Sequence, residues 1–94
     1  MSKSIMQSDP GVSYLSGATY SLEKHHIFYG QGRRELSEKY GLFVWITHDE
    51  HNEPPFGLHF NREARRALER DGQAAFEREY PNLDFKQIFG RNYL

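Results

Sequence analysis

The run "LEKHHIFYG", residues 22–30, sets two adjacent histidines in a stretch that otherwise favours extended structure. Leu22, Ile27, Phe28 and Tyr29 carry the β propensity, and Gly30 ends the run. Successive side chains on a strand point to opposite faces, so His25 and His26 diverge. Either one histidine serves a site while the other supports it, or a bend lets both reach one ion. The plainer alternative is one buried and one solvated imidazole, and the rest of the chain has to decide.

Working outward, a first strand is expected within "TYSLEKHHIFYG" (19–30) and a second in "LFVWIT" (42–47), where five large apolar residues precede Thr47. Between them "QGRRELSEKYG" (31–41), with two glycines and mixed charge, reads as a long loop with one helical turn around Leu36 to Tyr40. "HDEHNEPPFGLHF" (48–60) reads as a polar connection, since Pro54-Pro55 forbids a continuous helix. Asn61 is a good N-cap for a helix over 62–80, with Glu63 favourably placed in its first turn. Ala64, Ala67, Leu68, Ala75 and Phe76 fall near one face of that helix. Gly72 weakens it without ending it, and Pro81-Asn82 stops it. "LDFKQIFGRNYL" (83–94) predicts a short docking helix, and "VSYLSG" (12–17) a short strand or knuckle. Residues 1–11 are expected to be a flexible lead-in before a single domain over 12–94.

Ninety-four residues suffice for one modest core, and 15% aromatics supply its bulk. The formal net charge of −1 provides no global field for nucleic acid, so any such contact must be local. No membrane partner is expected, because no run approaches the ~18 apolar residues of a span. The first residues lack the apolar centre of a secretory signal, so a cytoplasmic location is expected. With no cysteine, disulfides and thiolate ligands are excluded.

A histidine-bearing strand, a loop, a second strand and a following helix together resemble the ββα-metal nucleases, the HNH or His-Me finger family. The likeness is to small phage and prophage HNH endonucleases. It is carried by "LEKHHIFYG", "SEKYGLFVWI", "EHNEPPFGLHFNRE" and "FGRNYL", in that order. It implies an α+β fold of ββα-metal type with an additional C-terminal helix. It also implies DNA as partner, phosphodiester hydrolysis as activity, and the cytoplasm of a bacterial host as location. Two departures stand out. Relatives of this kind hold a structural zinc with two Cys-x-x-Cys knuckles, whereas the matching positions here are Ser13, Ser16, Thr47 and Glu50. Hydroxyls and one carboxylate cannot replace four thiolates, so no structural zinc is expected. In small zinc domains that ion contributes on the order of 10 kcal/mol to folding, which hydrogen bonds among these four residues or tighter aromatic packing must offset. The second departure is the family's middle Asn, which falls where this chain has Gly41-Leu42.

Carried over by position, the resemblance makes His25 a metal ligand and His26 the general base. His51 and His59 become the further ligands, whereas His48 reads as a solvated knuckle residue. Histidine suits the base because its ordinary pKa, about 6.5, lies near working pH. Imidazole ligands favour one divalent Mn, Ni or Zn ion, with Mg as the other candidate. Arg33, Arg34, Arg62, Arg65 and Arg66 are the candidate phosphate contacts, on the expectation that DNA is the partner. The rival expectation is a catalytically degenerate or engineered scaffold of the same type that binds DNA or a protein. Target site, strand preference and oligomeric state are not set by the sequence.

Overall fold

The computed structural model describes residues 3–54 and 57–94. Pro55 therefore lies outside the described residues, as do the first two residues of the expected lead-in. The chain runs β1 (Leu22–His26), α1 (Arg33–Tyr40), β2 (Phe43–Thr47), α2 (His48–Asn52), a 3-10 turn (Leu58–Phe60), α3 (Arg62–Glu79) and α4 (Phe85–Phe89). Two antiparallel strands and four α-helices among the described residues make this an α+β fold.

β1 and β2 pair in the register Glu23–Ile46, His25–Val44 and His26–Phe43. Val44 and Ile46 are fully buried and, with Ile27, Phe28 and Leu42, join Leu58, Leu68, Phe76, Phe85 and Phe89 in one core. Aromatic contacts dominate it. Phe85 stacks on Phe89 at 4.5 Å, and Phe28 lies 5.2 Å from Phe85 and 5.0 Å from Phe89. Such pairs add about 0.5–1.5 kcal/mol each beyond the area they bury.

Several expectations are corrected. The first strand covers only Leu22–His26 of the expected 19–30, and 12–17, expected as a strand or a knuckle, forms a turn and not a strand. Within the expected loop over 31–41, the helical turn around Leu36 to Tyr40 forms but begins earlier, as the helix Arg33–Tyr40. Three consecutive left-handed residues, Gly30, Gln31 and Gly32, turn the chain into α1, and Gly41 closes it at φ 74°. Ser37, buried inside α1, donates to the Phe28 carbonyl at 2.7 Å and accepts from the Phe28 amide at 3.1 Å, so α1 is pinned to the end of β1. The polar connection contains α2, because Thr47 and Glu50 form a reciprocal capping box.

The described part of the lead-in is tied down rather than loose. Ser4 Oγ donates to the Phe43 carbonyl, Gln7 Oε1 accepts from the Trp45 amide, and the Ile5 amide donates to the Gly41 carbonyl. These bonds, with one from the Tyr14 amide to the Trp45 carbonyl, cover the edge of β2 that β1 leaves open.

α3 forms as expected, with the Asn61 side chain accepting from the Ala64 amide at 3.1 Å. Leu68, Ala75 and Phe76 face the core, but Ala67 is exposed. Gly72 has a packing reason: a Cβ there would lie 3.0 Å from Ile27 Cγ2 and 3.3 Å from the Phe28 ring. The expected docking helix shortens to Phe85–Phe89, which buries Phe85 and Phe89 and leaves Leu83 exposed.

Candidate metal centre

His25, His51 and His59 come from three different elements and meet. One ring nitrogen of each lies within 4.8 Å of the others. His25 stands on β1 opposite Val44 and is buried. His51 sits in the last turn of α2, delivered there by the capping box that starts the helix. His59 rides on the 3-10 turn, whose Leu58 carbonyl accepts a 3.0 Å hydrogen bond from Arg65 Nη1 of α3. The ring centroids stand 5.1 Å apart for His25 and His51, 4.8 Å for His51 and His59, and 5.8 Å for His25 and His59.

Burial pushes the His25 imidazolium down to about 3, reinforced by the nearby His51, His59 and His26 and by Arg65. His59 is lowered for the same reasons: burial first, then His51 and Arg65. Both rings are therefore neutral at working pH, the form that offers a lone pair to a cation. A cation bound at about 2.0–2.1 Å from imidazole nitrogens needs donors a little over 3 Å apart, so small ring movements would bring these three into place. The donor set fits a borderline transition metal.

Glu23 is a residue the sequence reading missed. Its Oε1 lies 2.9 Å from His51 Nδ1 and its Oε2 2.8 Å from His48 Nδ1, while Asn52 Nδ2 donates to Oε1 at 3.1 Å. These hydrogen bonds, His51 first, hold the Glu23 carboxyl below its usual range. The carboxylate fixes the N–H of His51 on Nδ1 and turns Nε2 into the acceptor. The available clue was period-two alternation, which puts Glu23 on the same strand face as His25. His48, exposed, is raised by Glu23 and stays outside the trio, as expected.

His26 projects from the other face of β1. Its Nε2 lies 2.7 Å from Glu38 Oε1 of α1, and its ring packs 6.0 Å from Phe43. Yet the two faces converge at the strand end. A pocket of about 230 Å³ is lined by Lys24, His25, His26, Tyr29, Arg34, His51 and His59.

The five arginines part ways. Arg34 is exposed and lines this pocket. Arg65 holds the turn under His59, a bracing role. Arg33 Nε donates to the Phe89 carbonyl at 3.1 Å and ties α1 to α4, and its side chain does not line the pocket. Arg62 is exposed at the start of α3, and Arg66 lines a separate recess with Arg70 and Arg91.

The four knuckle positions cluster around one carboxylate. Ser13 Oγ donates to Glu50 Oε1 at 2.6 Å, the Thr47 amide donates to the same oxygen at 2.9 Å, and the Ser16 amide donates to Ser13 Oγ at 3.2 Å. Burial alone would raise Glu50, but hydrogen bonds from Ser13, Ser16 and Thr47 outweigh it and leave the carboxyl lowered. At Gly41 a side chain is disfavoured on steric as well as conformational grounds. Gly41 has a left-handed backbone, and a Cβ there would lie 2.3 Å from the Lys3 carbonyl oxygen.

Comparison with known proteins finds no matching family model, no matching curated protein and no matching solved structure. Any functional reading therefore stands on the residues and geometry above. Among the described residues, no helix is long and apolar enough to cross a membrane.

Proposed function

We propose that this chain is a metal-dependent DNA endonuclease of the ββα-metal, HNH-like type. One observation carries the reading: three imidazole donors within 4.8 Å of one another border a pocket that also holds a fourth histidine, His26. In this reading β1, β2 and the elements after them form the ββα-metal unit, and α4 is the additional C-terminal helix. His25, His51 and His59 hold one divalent cation, with Mn, Ni, Zn and Mg as candidates. A cation there would supply positive charge against the scissile phosphate.

His26 takes a proton from a water molecule in the pocket. The water oxygen attacks phosphorus, the bond from phosphorus to the leaving oxygen breaks, and that oxygen takes a proton from solvent. Arg34, at the pocket wall, offers a guanidinium to the phosphate oxygens. With a net charge of −1, binding rests on such local contacts.

A second reading is favoured by Gly41. The family's Asn has no counterpart there, and the same fold without cleavage would be a scaffold that binds DNA or a protein. A plasmid-nicking assay with each of the four cations, with EDTA as control, separates the two. Metal-dependent conversion of supercoiled to open-circular plasmid is expected. Metal binding without conversion would leave the scaffold reading.

A further inference from the structure

We propose that Glu38 is the positioning residue for His26: its carboxylate holds the ring's N–H on Nε2 and leaves Nδ1 as the basic nitrogen. The inference rests on the nuclease reading for its functional half, and on geometry alone for its structural half.

The contact is short, 2.7 Å from Glu38 Oε1 to His26 Nε2. An ionised carboxylate only accepts hydrogen bonds, so the imidazole must present its N–H to it. A neutral imidazole has one N–H, and the remaining nitrogen then carries the lone pair.

The carboxylate is well anchored for a partly exposed side chain. Lys24 Nζ lies 3.2 Å from Oε1 and 3.4 Å from Oε2, and the same ammonium sits 4.3 Å from the centre of the Phe43 ring. The residue before it, Ser37, is fully buried and bonded to both polar groups of the Phe28 backbone, two residues beyond His26. Helix and strand are thus locked together at the position where their side chains meet. The alternative is a surface ion pair between Glu38 and Lys24, for which the contact with His26 would be incidental.

Imidazole nitrogen NMR on the full, metal-free chain tests the structural half, at about pH 8 where a free histidine is neutral. The wild type should show His26 as the Nε2–H tautomer. Glu38→Ala should shift it toward a mixture, whereas Glu38→Gln, whose amide oxygen still accepts, should retain it. Nicking kinetics test the functional half: kcat should fall about 10- to 100-fold in Glu38→Ala with little change in KM or metal affinity, and recover in part in Glu38→Gln. An Nδ1–H tautomer in the wild type, or an unchanged tautomer in Glu38→Ala, overturns the proposal. If Glu38→Ala does not fold, the wild-type tautomer and the Glu38→Gln rate still decide it. A wild type that never nicks DNA removes the nuclease reading, and the tautomer then stands or falls by itself.

Discussion

Glu23 Oε1 lies 2.9 Å from His51 Nδ1, and this bond between a strand and a five-residue helix engages one ring nitrogen of His51 and leaves Nε2 as its free donor atom. Removing the carboxylate frees the ring to rotate and to change tautomer. Glu23→Ala should therefore weaken binding of a divalent transition metal by about 10- to 100-fold, as outer partners of metal-bound histidines commonly do. Titration calorimetry with Ni or Zn measures it. Affinity equal to the wild type would show that packing alone orients His51.

His25 and His26 should fail differently. His25→Ala takes an imidazole from the trio, so metal affinity falls and excess metal restores part of the nicking rate. His26→Ala keeps the trio and loses the base, at a cost of about 10²- to 10⁴-fold in rate that added metal does not recover. Unchanged metal affinity in His25→Ala would remove it from the ligand set. Undiminished cleavage by His26→Ala would do the same for the base.

Cooperative folding should survive chelation. The knuckle positions hold a hydrogen-bonded carboxylate rather than thiolates. Thermal melts with and without EDTA should differ by no more than the few degrees that a functional ion adds to the state it binds. Collapse of the transition on chelation would reveal a metal essential to the fold.

Glu50 should behave as the hub that joins the Ser13–Ser16 turn to the start of α2. Glu50→Ala deprives Ser13 Oγ and the Thr47 amide of their acceptor and removes half of the capping box, a loss of about 2 kcal/mol. Glu50→Gln should cost less, because its amide oxygen still accepts. Urea unfolding reads both values. An Ala variant as stable as the wild type would mean that the two knuckle segments meet without this carboxylate.

Stability of the metal-free chain should fall with acid because of His25, whose folded value is pushed to about 3 from an ordinary 6.5. Between those values the unfolded chain binds a proton that the folded chain refuses. The neutral ring's full contribution is therefore present above about pH 6.5 and is lost as pH falls toward 3, on the order of 5 kcal/mol across the window. Urea melts in EDTA from about pH 7.5 to 4.5 should show a steeper decline for wild type than for His25→Asn. Parallel slopes would show that water reaches the ring and relieves its burial.

Sequence alone sufficed where a signal was local. Five apolar residues made β2 legible and Asn61 announced α3, whereas the three rings that converge were singled out only by the resemblance and not by any local signal. α1 was read short, as one turn around Leu36 to Tyr40, because its flanking glycines read as loop, while its hold on the fold is Ser37 gripping a backbone nine residues away. α2 is marked in the sequence by Thr47-x-x-Glu50, a capping signature, but the prolines that follow mask so short a helix as loop. Glu23 and Glu38 carry no such mark. Carboxylates on a strand and on a charged helix look like solvated surface until the fold sets one against His51, 28 residues on, and the other against His26, 12 residues back. Likewise Gly41 lacks a side chain because the backbone at Lys3 arrives there. Propensity and capping act over a few residues and are written in the chain, whereas the partner of a buried or oriented polar group is chosen by chain closure.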